Sequence, residues 1–70
     1  MASIAKVVEI IAESSKGWED ATNVALTEAA ATVTNIQEIW VSGMKALVQN
    51  NKITTYRVTA KITFLVDRKK

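Results

Sequence analysis

The sequence predicts an α+β fold of order β-α-β-β, in which a three-stranded antiparallel sheet is partly wrapped around one helix. Three observations carry that expectation. Residues 54–66 alternate without a fault, with Thr54, Tyr56, Val58, Ala60, Ile62, Phe64 and Val66 on one side and Thr55, Arg57, Thr59, Lys61, Thr63 and Leu65 on the other. That is the period of a strand with one apolar face. Trp18, Thr22, Ala25, Leu26, Ala29 and Val33 recur at helical spacing and make a single stripe. Between two strand-like segments, residues 49–52 read Gln-Asn-Asn-Lys, and asparagine tolerates the left-handed backbone of a tight hairpin.

Residues 5–13, AKVVEIIAE, form the first expected strand, rich in β-branched side chains and interrupted by Lys6, Glu9 and Glu13. A helix follows over about residues 15–34. Ser14 or Ser15 is its expected N-cap, and Glu19 and Asp20 suit the positive end of its dipole. The alanines of the stripe let this helix sit close to a sheet. Residues 36–48 return to strand composition, with a bulge or bend expected at Gly43. The third strand then folds back antiparallel on the second.

At about 3.3 Å per residue, a strand over residues 54–66 spans on the order of 40 Å, whereas a compact chain of this length is only about 28 Å across. The strand must curl around something or run out of the body into a neighbour. A single domain of 70 residues, 1–70, buries only about 60% of its unfolded surface and usually needs a staple. With no cysteine and no histidine, disulfides and imidazole- or thiolate-bound metals are excluded, so oligomerisation is the staple left. A hydrophobic content of 49% against 23% charged residues fits that expectation.

Lacking histidine and cysteine, the chain also lacks the commonest general base and soft nucleophile, and the expectation is a protein that is not an enzyme. The apolar start is broken by Glu9 and Glu13, so neither a secretory segment nor a membrane span is expected, and the cytoplasm is the expected location. Net charge is only +2. The surplus in Arg68, Lys69 and Lys70 reads as a solvated terminus rather than a nucleic-acid arm.

Taken in order, KVVEIIAESSKGWEDA, ATVTNI and TYRVTAKITFLVD resemble the dodecin family over nearly the whole chain. The resemblance implies a hollow, roughly spherical homododecamer in which each chain's partners are copies of itself. It further implies flavin chemistry, since flavin-binding dodecins stack isoalloxazine rings between tryptophans of neighbouring subunits and hold the ring edge with a glutamine. Counted without gaps from Asn35 and from Tyr56, those two places fall on Glu38 and Arg57. A carboxylate offers no stacking face, and an arginine lacks the acceptor of a glutamine oxygen. Binding of riboflavin or FMN is therefore expected to be weak or absent.

Trp40, two residues beyond Glu38 on the same strand face, is a shifted candidate platform, or else packing at a subunit contact. Glu38 and Arg57 also read as an interstrand or intersubunit ion pair that replaces the ligand site. Trp18 reads as core. Glu9, Glu13, Glu19, Glu28, Glu38 and Asp67 match no calcium loop, and no metal site is assigned, although one carboxylate repeated around a symmetry axis suffices to hold a hard cation. Lys45, Lys52 and Arg57 read as solvated charge with some affinity for phosphates.

The leading expectation is a non-catalytic shell that binds, stores or sequesters a small ligand between subunits. A structural dodecamer with a lost flavin site and a cation on its axes is the alternative. A nucleic-acid binder ranks lower, because the polar face with Arg57 and Lys61 lacks paired aromatics for base stacking.

Overall fold

The long alternating segment becomes β3 (Lys52–Val66), and it takes the middle of the three-stranded sheet, between the first and second strands. The computed structural model describes residues 4–66, comprising β1 (Ile4–Ser14), α1 (Trp18–Ala30), β2 (Ile36–Gln49) and β3. The basic tail at Arg68, Lys69 and Lys70, and Asp67 before it, lie outside the described residues. Both neighbours run antiparallel to β3, from Ile4↔Val66 to Ser14↔Tyr56 on one side and from Ile36↔Phe64 to Gln49↔Lys52 on the other. A central strand has both rows of backbone groups paired, so the most regular alternation in the chain stands where two ladders demand it.

Alternation also sorts the two faces. Val58, Ala60 and Ile62 are fully buried on the face that α1 covers, and Ala12 of β1 joins them. Arg57, Thr59, Lys61 and Thr63 stand on the opposite face. The helix contributes Ala21, Ala25 and Ala29, a seam repeating every four residues. Methyl side chains let the helix axis approach the sheet closely, whereas Trp18 and Leu26 flank the seam and stay partly exposed at 37% and 38%. The expected stripe is thus rotated: Ala25 and Ala29 belong to the buried seam, and Ala21 replaces the larger residues.

Trp18 is correspondingly a rim residue rather than core. Its ring meets Tyr56 edge-on at 4.9 Å between centroids, and its Nε1–H donates to the Lys45 carbonyl oxygen at 3.0 Å. The indole thereby ties the start of α1 to β2 and β3.

The helix is shorter at both ends than its composition predicts. Gly17, not a serine, is the N-cap, and no side chain caps the first turn. Ser14 is used otherwise, accepting from the Lys16 backbone N–H at 2.9 Å and donating to Asp20 Oδ2 at 2.5 Å. At the other end, Val33 N–H returns to the Ala29 carbonyl and Asn35 adopts φ 61°. The β-branched run Thr32, Val33, Thr34 is a poor continuation of a helix. Asn35 turns the chain and passes its carbonyl to the Leu65 N–H at 3.1 Å.

Asn50 and Asn51 both have positive φ, 52° and 65°, as a two-residue hairpin of type I′ requires. The second strand bulges between Val41 and Gly43, as the glycine suggests, and also between Ile36 and Glu38. Past Tyr56 no residue of β1 remains to pair, so the β2–β3 hairpin continues alone as a two-stranded arm. Principal extents of 57 × 19 × 13 Å and a radius of gyration of 14.7 Å follow, against about 11 Å for a compact chain of this length. The strand does run out of the body.

Candidate functional site

The sheet face turned away from α1 carries the three residues singled out from the sequence, and it is built in cross-strand rows. Glu38 stands opposite Thr63, and Trp40 opposite Lys61, which in turn faces Glu9 on β1. Further along, Arg57 lies between Glu13 and Lys45. Val7 and Ile11 flank Glu9 on β1 and are exposed, as is Trp40 at 60%. One surface therefore alternates apolar and charged groups, with no part of its own chain above it.

Trp40 is the aromatic centre of that surface. The Lys61 ammonium lies 5.1 Å from the indole centroid, a cation–π contact worth about 0.5–1 kcal/mol where exposed. It occupies one approach to the ring. Glu38 accepts a long hydrogen bond from Thr63 Oγ1 at 3.4 Å and keeps most of its acceptor capacity.

Arg57 does not pair with Glu38 in this chain. It pairs with Glu13, donating from Nε to Oε2 at 2.6 Å and adding an Nη2 contact to the same carboxylate. The reason is register: Glu13 is the direct partner of Arg57 on β1, whereas Glu38 sits opposite Thr63, roughly 20 Å further along β3. The interstrand form of the expected ion pair is corrected accordingly, and only a contact between subunits can bring the two together.

Sequence reasoning missed the Glu13 partner and the Lys61 cover over Trp40. Both were recoverable from the β1–β3–β2 register, which a hairpin signal for β2 and β3 alone does not supply. Also unforeseen is an open groove of about 690 Å³ between the end of α1 and the start of β2, lined by the apolar Leu26, Ala30, Val33, Ile36 and Ile39 and by the polar Thr34, Asn35, Gln37 and Glu38.

Among the described residues, no group of three or more His, Cys, Asp or Glu side chains comes together to hold a metal ion, and no helix is long and apolar enough to cross a membrane.

A long antiparallel sheet that grips one helix with alanines and leaves its other face, of mixed apolar and charged groups, uncovered defines a class of small α+β fold. The dodecin family profile matches residues 4–67, and the chain belongs to the dodecin family. Solved structures agree. The dodecin of T. thermophilus, in an arginine-to-alanine variant, superposes with a TM-score of 0.91 at 22% identity, over 96% of this chain and 100% of that one. Dodecin from Streptomyces coelicolor gives 0.89 at 19% identity, over 96% of each chain. The calcium-chelating antigen calcium dodecin of Mycobacterium tuberculosis gives 0.82 at 28% identity, over 97% of each. No curated protein matches the sequence.

Proposed function

We propose that the chain is a non-catalytic subunit of a closed homo-oligomer, a hollow dodecamer of dodecin type, that holds a small ligand between subunits in the cytoplasm. The observation that carries this reading is the exposure of Trp40, Val7 and Ile11 among charged neighbours on the sheet face left uncovered by the chain's own helix. A 70-residue chain with neither disulfide nor metal staple gains stability by burying such a face against copies of itself. Membership of the dodecin family supports that form of assembly.

Trp40, Glu38 and Arg57 are the proposed ligand-contacting residues. Oxidised flavin binds weakly or not at all on this reading. Glu38 brings a charge that must be desolvated where a stacking ring is needed, Lys61 already covers one approach to Trp40, and Arg57 is engaged by Glu13. The engagement of Arg57 equally supports a second reading, a structural shell whose flavin site is replaced by protein contacts. In that case cations on the symmetry axes, held by repeated single carboxylates, are the ligands. The printed description of the Mycobacterium tuberculosis relative, calcium-chelating, makes calcium the ion to try first.

Titration of the purified protein with riboflavin, FMN and calcium separates the readings. Weak flavin quenching with Trp40-dependent binding supports the first. Calcium uptake with no flavin response supports the second, and a monomeric protein overturns both.

A further inference from the structure

Trp40 stands among charges that favour one class of ligand. The Lys61 ammonium lies 5.1 Å from the indole centroid, so a cation already holds the face of this ring. Glu9 is the direct cross-strand partner of Lys61 on β1, yet the two make no ion pair: among the described residues, Arg57–Glu13 is the one salt bridge. Glu38 lies two residues from Trp40 on the same face of β2, displaced by about 6.6 Å, and its one hydrogen bond is the long one from Thr63. Glu9, Glu38 and Trp40 are all exposed. Two carboxylates without a cationic partner therefore border an aromatic ring whose face holds a positive charge.

Lys61 is a poor permanent occupant of that place. An ammonium is a compact, strongly hydrated point charge that touches only part of an indole, and Glu9 stands directly opposite it, at the roughly 5 Å Cβ spacing of a cross-strand pair. A flat cation gains twice, because it stacks over the whole ring and sets its charge on the ring's negative face. Lys61, once displaced, turns to Glu9 and makes the ion pair it lacks. We propose that Trp40 binds a flat heteroaromatic cation, one with an alkylated or protonated ring nitrogen, in the place that Lys61 holds, and that Glu38 supplies the counter-charge. This rests on the reading of Trp40 as a ligand platform and names the chemistry of what the platform takes.

The same charges turn other ligands away. The neutral ring system of an oxidised flavin gains nothing from Glu38 and must desolvate it. A bare metal ion needs several oxygens within reach, and within one chain Glu9 and Glu38 belong to the two outer strands, about 10 Å apart across β3. A charge spread over fused rings has no such requirement.

N-methylacridinium and acridine differ by one methylated nitrogen, and in mildly alkaline buffer only the first is charged. Equilibrium dialysis of each against the unmodified protein is expected to show N-methylacridinium bound about tenfold more tightly, a factor within the span of cation–π contacts from exposed to desolvated sites. Trp40→Leu should remove that preference. Lys61→Met takes away the competing cation and should raise N-methylacridinium affinity about threefold. Glu38→Gln should lower it about threefold and leave acridine unchanged. Circular dichroism and sedimentation check that every variant folds and keeps its native mass.

Equal affinity for the two dyes, both lost in Trp40→Leu, overturns the cation preference and leaves Trp40 standing as a platform. Binding of neither dye, or binding that survives Trp40→Leu in folded protein, overturns the proposal, and flavin quenching then decides the platform by itself. Weaker cation binding by Lys61→Met also overturns it, because Lys61 would then assist the ligand rather than compete with it. Where Trp40→Leu does not fold, the opposite signs expected of Lys61→Met and Glu38→Gln still decide.

Discussion

Replacing Arg57 by glutamine, alone and together with Glu13→Gln or Glu38→Gln, gives two double-mutant cycles with opposite expected results. Arg57 and Glu13 touch, but their side chains are 36% and 44% exposed, so solvent screens the pair and its coupling should be about 0.2–1 kcal/mol. Arg57 and Glu38 are separated within the chain by roughly 20 Å. At that distance two charges in water interact by only about 0.2 kcal/mol before screening, and the Debye length in physiological salt is about 8 Å. Their cycle should be additive within error.

Urea denaturation of all variants at one fixed protein concentration measures both couplings, since association otherwise shifts apparent stability. Raising the salt to 1 M should shrink the Glu13 coupling towards zero. A Glu38–Arg57 coupling larger than the Glu13–Arg57 coupling would refute the assignment. It would mean that the two meet across a subunit boundary as an ion pair, and that the Glu13 contact is of no energetic consequence.

Three further outcomes are expected. Ala25→Leu places a larger side chain in a seam where Ala25, Val58 and Ala60 are all fully buried; it should cost about 1–3 kcal/mol and lower the melting temperature, with Thr27→Leu on the exposed side of α1 as the near-neutral control. Asn51→Val, at φ 65°, should cost about 1–2 kcal/mol through left-handed strain, read by thermal unfolding, whereas Asn51→Gly should be tolerated. The double change Glu38→Trp with Arg57→Gln should raise flavin affinity above either single variant, measured by quenching of flavin fluorescence, because a stacking face and an amide edge are restored together.

How much of this was legible in the sequence differs from element to element. The third strand and its hairpin were, since period-two alternation over residues 54–66 and a pair of asparagines are local signals that tertiary packing had no reason to override. The helix was legible as an element but not in its ends or its face. Trp18 and Leu26 are the most hydrophobic residues of the stripe, yet the sheet lies too close to admit them, and steric fit gave the seam to Ala21, Ala25 and Ala29. Ser14 looked like a cap and instead bonds Asp20 and the Lys16 amide, a competition between side chain and backbone that spacing alone does not decide.

At the site, the shared face of Glu38 and Trp40 on β2, and the place of Arg57 on the polar side of β3, followed from alternation. Their partners did not, because Glu13 and Lys61 are chosen by the register of β1 and β2 on β3, and register is a property of the assembled sheet.

The central claim is that this chain does not function alone, and its native mass tests that most directly. Sedimentation velocity on the unmodified protein at micromolar concentration should show one closed species of about twelve chains, each of 7.7 kDa. The number twelve is the dodecin form, on the order expected for a closed cubic-type shell of self-complementary subunits. A single monomeric species with native circular dichroism would contradict the account, since the uncovered sheet face around Trp40 and the arm bearing Val48 and Ile53 would then have to remain in water.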